Sequence, residues 1–97
     1  MKIMSREEIG EMNEEAMFLG IEFDGAIAGY VEQFGTPVLA LYDRDKVISI
    51  LVQQGMKDQE EAAEWFEFNI LGAFVGNSTP AFASFFEEEK ETEDASI

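Results

Sequence analysis

Val38-Leu39-Ala40-Leu41-Tyr42 is an unbroken apolar run set between Pro37 and Asp43. It is too short for a helix of its own and too apolar for a strand with one wet face. It reads as a central strand over 37–43, covered on both faces. Pro37 stands at its start, where a missing N–H does no harm. A central strand needs a neighbour on each edge, and the chain offers two. Ala26 to Glu32 is one, joined to the run by Gln33-Phe34-Gly35-Thr36, a hairpin loop with glycine for the positive-φ position. Ala81 to Phe86, alternating small and aromatic residues, is the other.

Helices account for the rest. Ser5 and Glu8 have capping-box spacing, with Met4 and Ile9 as a staple. The spacing of Ile9, Met12, Ala16 and Leu19 then predicts a helix from Arg6 to Leu19, stopped by Gly20. Asp43 predicts the N-cap of a second helix from Arg44 to Gln54, with Gly55 at its C-terminal end. Asp58 and Glu61 repeat the capping box for a third from Gln59 to Phe74. The expected fold class is α+β, in the order α-β-β-α-α-β, with a three-stranded, mainly antiparallel sheet packed by helices. Residues 1–86 are expected to form one globular domain, and 87–97 a disordered acidic tail.

Charge limits what such a domain can meet. The 97 residues carry 21 Asp plus Glu against 6 Lys plus Arg, a net −15 with pI near 4.1. Nucleic acid and anionic membranes are repelled, while basic proteins are attracted. The hydrophobic fraction of 46%, with nine Phe, supports a core rather than disorder. The chain has no Cys and no His. It therefore offers no thiolate metal site and no imidazole for acid–base work near neutral pH. Ser5, Ser49, Ser78 and Ser84 have no base partner in view. No enzyme, cofactor or metal is expected. The longest apolar stretch, Val47 to Val52, is broken by Ser49 and too short for a bilayer. The N-terminus lacks the apolar run of a signal peptide, so the expected location is cytoplasmic.

The stretch from Trp65-Phe66-Glu67-Phe68-Asn69 through Gly72-Ala73-Phe74-Val75-Gly76 to Thr79-Pro80 contains Phe-Asn-x-x-Gly-Ala-x-x-Gly followed by Thr-Pro. With Phe23-Asp24-Gly25 and Tyr42-Asp43-Arg44-Asp45 upstream, residues 22–85 resemble an uncharacterised family of small acidic proteins common in bacteriophages and bacteria. The resemblance implies a phage-like setting and no activity.

The candidate binding residues are Glu60, Glu64, Trp65, Glu67, Phe68, Asn69, Asn77 and Thr79, with an acidic face at Glu7, Glu11, Glu14 and Glu15. Asn69 is expected on the apolar side of the third helix, bracing the Gly76–Pro80 turn or reading a ligand at a pocket mouth. Asp24, Asp43 and Asp45 are carboxylates without EF-hand spacing, and capping explains Asp43. Trp65, Phe66 and Phe68 spread over more than one face, which leaves an apolar patch for a partner or a homodimer. The leading expectation is a non-enzymatic, phage-type protein that regulates or inhibits a basic host protein by charge complementarity. The host protein expected is one that handles nucleic acid. One form of this is DNA mimicry, as in anti-restriction and anti-CRISPR proteins. A duplex segment about 30 Å long carries on the order of 18 charges, close to the charge of this chain. The alternatives are a small-ligand or signalling-nucleotide binder and a self-assembling structural or accessory protein.

Overall fold

The computed structural model describes residues 5–73 and 76–86. The Met4 staple, the Ser5 side chain of the first capping box, Phe74 and the 87–97 tail lie outside the described residues. The elements are α1 (Ser5–Met12), a 3-10 turn (Ile21–Ala26), β1 (Ile27–Val31), β2 (Leu39–Asp43), α2 (Arg44–Gln53), α3 (Gln59–Phe66), a π-helical turn (Glu67–Leu71) and β3 (Ala81–Ala83).

The strands form one sheet in the order β1-β2-β3, so the fold is α+β with the apolar run at its centre. β1 pairs antiparallel with β2 across the predicted hairpin, where Gly35 has φ +84° and the Thr36 N–H donates to the Gln33 carbonyl. A bulge leaves Ala28 without a partner between the Ile27–Tyr42 and Gly29–Leu41 pairs. β3 pairs parallel with β2, because the chain returns through α2 and α3 before rejoining the sheet. A parallel pair requires a long crossover of this kind. The sheet is therefore mixed, with one antiparallel and one parallel pair.

One face of the sheet carries the core. Ala40 and Tyr42 of β2 are buried with Ile9 of α1, Phe23 and Ala26 of the 3-10 turn, Val47, Ile48 and Leu51 of α2, and Ala62 and Phe66 of α3. Burial of each large side chain in this set contributes about 1.5–3 kcal/mol. The run was expected to be covered on both faces. Instead Leu39 and Leu41 are half-buried, alternating with Ala40 and Tyr42, because the helices collect on one side.

The local caps behave as their sequences dictate. Asp43 accepts from the N–H groups of Asp45 and Lys46, and Gly55 has φ +124° after α2. Asp58 accepts from the Glu61 N–H at 2.9 Å, while the Glu61 carboxylate reaches back one residue further, to the Lys57 N–H at 3.1 Å.

Two helices are shorter than expected. α1 ends at Met12, not Leu19. Asn13 leaves the helix to donate from Nδ2 to the Val38 carbonyl (2.9 Å) and Ser78 Oγ (3.2 Å), and its Oδ1 accepts from the Glu15 N–H (3.0 Å). Gly20 accordingly stops nothing and stands before the 3-10 turn instead. α3 ends at Phe66 and widens into the π turn, whose closing bond runs from the Gly72 N–H to the Glu67 carbonyl at 3.1 Å. β2 starts at Leu39 rather than Pro37, and β3 stops at Ala83, leaving Phe85 and Phe86 exposed beyond it.

Tyr42 closes the core. Its hydroxyl accepts from the Leu19 N–H at 2.9 Å, and burial raises its pKa above the usual phenol value, partly offset by that bond. A folded-state pKa above the unfolded one favours the native state while the phenol stays protonated. The stabilisation is complete below about pH 10 and is lost as pH rises through the folded value. In a Tyr30→Phe variant, where Tyr42 is the reporter, phenolate absorbance is expected above pH 10 together with a falling melting temperature. A Tyr42 phenolate formed within a still-folded protein at or below that pH contradicts this reading.

Candidate functional site

α3 and the π turn hold most of the candidate binding residues. Ala62, Phe66 and half-buried Ala63 and Ile70 face the core, which turns Glu64, Trp65, Glu67, Phe68 and Asn69 outward. Trp65, Phe68 and Leu71 are exposed at 41%, 82% and 52%. These three follow at three-residue steps, Trp65 in the last turn of α3 and Phe68 and Leu71 in the π turn. Each has a glutamate four residues earlier: Glu61 before Trp65, Glu64 before Phe68 and Glu67 before Leu71. On a helix such pairs are neighbours. All three glutamates are exposed. Glu60, Glu61 and Glu64 also line an open hollow of about 280 Å³ with Lys57 and Asp58.

Glu67 differs from the others. It pairs with the Arg44 guanidinium at 2.8 Å, and Arg44 lies over the Phe66 ring at 5.2 Å. This clasp joins the start of α2 to the π turn. A matching clasp sits at α1, where the Arg6 guanidinium contacts Asp24 (2.7 Å) and the Leu19 carbonyl (2.7 Å) over the Phe18 ring. Asp24 is thus a guanidinium partner and Asp43 a cap. No group of three or more Asp or Glu side chains among the described residues is arranged to hold a metal ion.

Asn69 was expected to be buried, and it is exposed. Its Nδ2 donates to the Trp65 carbonyl at 3.1 Å, one turn back, rather than bracing the 76–80 turn. Thr79 performs that task, donating from Oγ1 to the Gly76 carbonyl at 2.8 Å. Asn69 and Thr79 both line a cavity of about 170 Å³, together with Met17, Ile70, Pro80 and Phe82. That volume is close to one that accommodates benzene in an engineered apolar cavity. Among the described residues its lining contains no Lys or Arg, the groups that would hold the phosphates of a signalling nucleotide. Asn77 is exposed in the turn that precedes Thr79.

The first acidic group is split by the early end of α1. Glu7 and Glu11 lie on the helix, whereas Glu14 and Glu15 lie in the turn after it and do not continue its face. α1 packs on β1 and β2, and α3 packs on α2, so the two acidic groups belong to separate elements. All four side chains are exposed.

Leu71 was missed as a surface residue, and Glu61 was expected as a capping acid but not as a binding residue. The repeated Glu-x-x-x-apolar step beginning at Glu61 was visible in the sequence, but which faces stay bare depends on the packing of α2 and the sheet. Among the described residues no helix is long and apolar enough to cross a membrane. No family model matches the chain, and neither a curated protein nor a solved structure matches it.

Proposed function

We propose that this chain is a non-enzymatic acidic binding protein that holds a basic protein surface by charge complementarity and so regulates or inhibits that protein in the cytoplasm. The observation that supports the reading is the state of the carboxylates. Every described Asp and Glu except Asp43 is exposed, and the ion pairs among the described residues engage only Asp24 and Glu67. A field of this strength and sign accelerates encounter with a basic partner and opposes anionic ones. The motif 68–80 supports a phage-like setting. DNA mimicry is the finer form of the proposal, resting on the match between −15 and the charge of a short duplex segment.

The experiment is capture of a partner on tagged full-length protein, followed by titration of the purified pair at two salt concentrations. The expected result is affinity that drops steeply with salt, since exposed charges are screened over about 8–10 Å at physiological ionic strength. Competition by duplex DNA would favour the mimic form. Salt-sensitive capture without competition would remove that form and keep the acidic binding role. A partner held equally well in high salt would overturn the proposal.

A further inference from the structure

We infer that the exposed ridge of α3 and the π turn is the docking surface, and that its occupant is a cationic amphipathic helix of the partner protein. The inference rests on the charge-complementarity reading and names the surface and the partner chemistry within it.

The ridge is apolar at its crest and acidic along its flank. Trp65, Phe68 and Leu71 protrude, and Glu61 and Glu64 stand one turn before the first two. A partner helix with apolar residues at i, i+3 or i+4 and i+7 presents an apolar groove flanked by positions open to charge. Lys or Arg beside that groove would meet the glutamates. Burying a crest of this kind places aromatic anchors in the middle of an interface and charge at its rim, where specificity is set.

A second copy of the chain fits the ridge poorly. A two-fold interface sets each patch against itself, so Glu60, Glu61 and Glu64 would face their own images. Like charges placed opposite each other oppose the contact. A basic partner removes that conflict.

Trp65 is the sole tryptophan, so its emission reports the ridge directly. The full-length protein is titrated with a short Lys/Leu peptide in helical amphipathic spacing and, separately, with oligolysine of the same length. The expected result is a blue shift of Trp65 emission with the amphipathic peptide and an affinity at least about tenfold tighter than for oligolysine. Phe68→Ser with Leu71→Ser is expected to abolish that advantage and leave oligolysine binding unchanged. Both positions are exposed, so the double variant keeps the core, and an unchanged melting temperature checks this. If both peptides bind with equal affinity, emission stays fixed and the double variant behaves as the parent, the ridge is overturned while acidic binding stands. If neither peptide binds at low salt, both readings fall.

Discussion

Phe66→Ala is expected to remove about 3–5 kcal/mol of stability, the range for truncating a buried aromatic. Phe66 has no exposed surface, meets the Phe82 ring edge to face with centroids 5.1 Å apart, and lies under the Arg44 guanidinium. Phe82 in turn contacts Tyr42 at 5.7 Å. One truncation therefore opens a cavity between α3, β3 and the centre of the sheet. Domains of this size hold roughly 5–15 kcal/mol in total, so much of the margin is lost. Urea denaturation is the measurement, and the expected signature is a lower midpoint with an unchanged slope. Phe68→Ala is the matched control. It removes the same atoms two residues away, yet Phe68 is exposed, and its cost is expected to stay within about 0.5 kcal/mol. Equal losses at the two positions would mean that the inner face of α3 is wrongly assigned.

Asn13→Ala is the second large effect, expected at about 1–3 kcal/mol. The side chain joins three parts of the chain far apart in sequence: the end of α1, the entry to β2 at Val38 and the turn at Ser78. Each bond is modest by itself, but truncation also leaves the part-buried Val38 carbonyl without its side-chain donor, which adds a desolvation cost. Asn13→Asp separates the contributions. It keeps an acceptor for the Glu15 N–H and loses the amide donor to Val38, so it should be no more stable than the alanine variant. Thermal melts of both variants check the expectation. Aspartate restoring full stability would show that the bond to the Val38 carbonyl carries little, since the Ser78 hydroxyl can turn to donate to a carboxylate.

Much of the fold was legible where the deciding atoms are close in sequence. Asp43 caps the amides two and three residues on, Asp58 caps Glu61, and Gly35 turns the hairpin. These contacts need only the local spacing of donors and acceptors. The predicted end of the first helix failed because Ala16 and Leu19 continue a helical pattern that Asn13 abandons. Its partners at Val38 and Ser78 become available only after the sheet has formed. The candidate site was legible in part for the same reason. An excess of aromatics on the third helix announced that some would stay bare, but the placement of Asn69 depended on a π turn that the local pattern did not announce.

Composition and short-range spacing by themselves determined the charge, the lack of imidazole and thiol chemistry, the central apolar strand and the caps of α2 and α3. Tertiary structure alone decided that β3 returns parallel to β2, that α1 stops at Met12 and that Trp65, Phe68 and Leu71 stay exposed. The physical reason is range. Caps and turns are settled by bonds spanning a few residues, whereas strand direction and the bare face of a helix follow from contacts such as Asn13 with Ser78 and Phe66 with Phe82, which form only once distant segments are packed together.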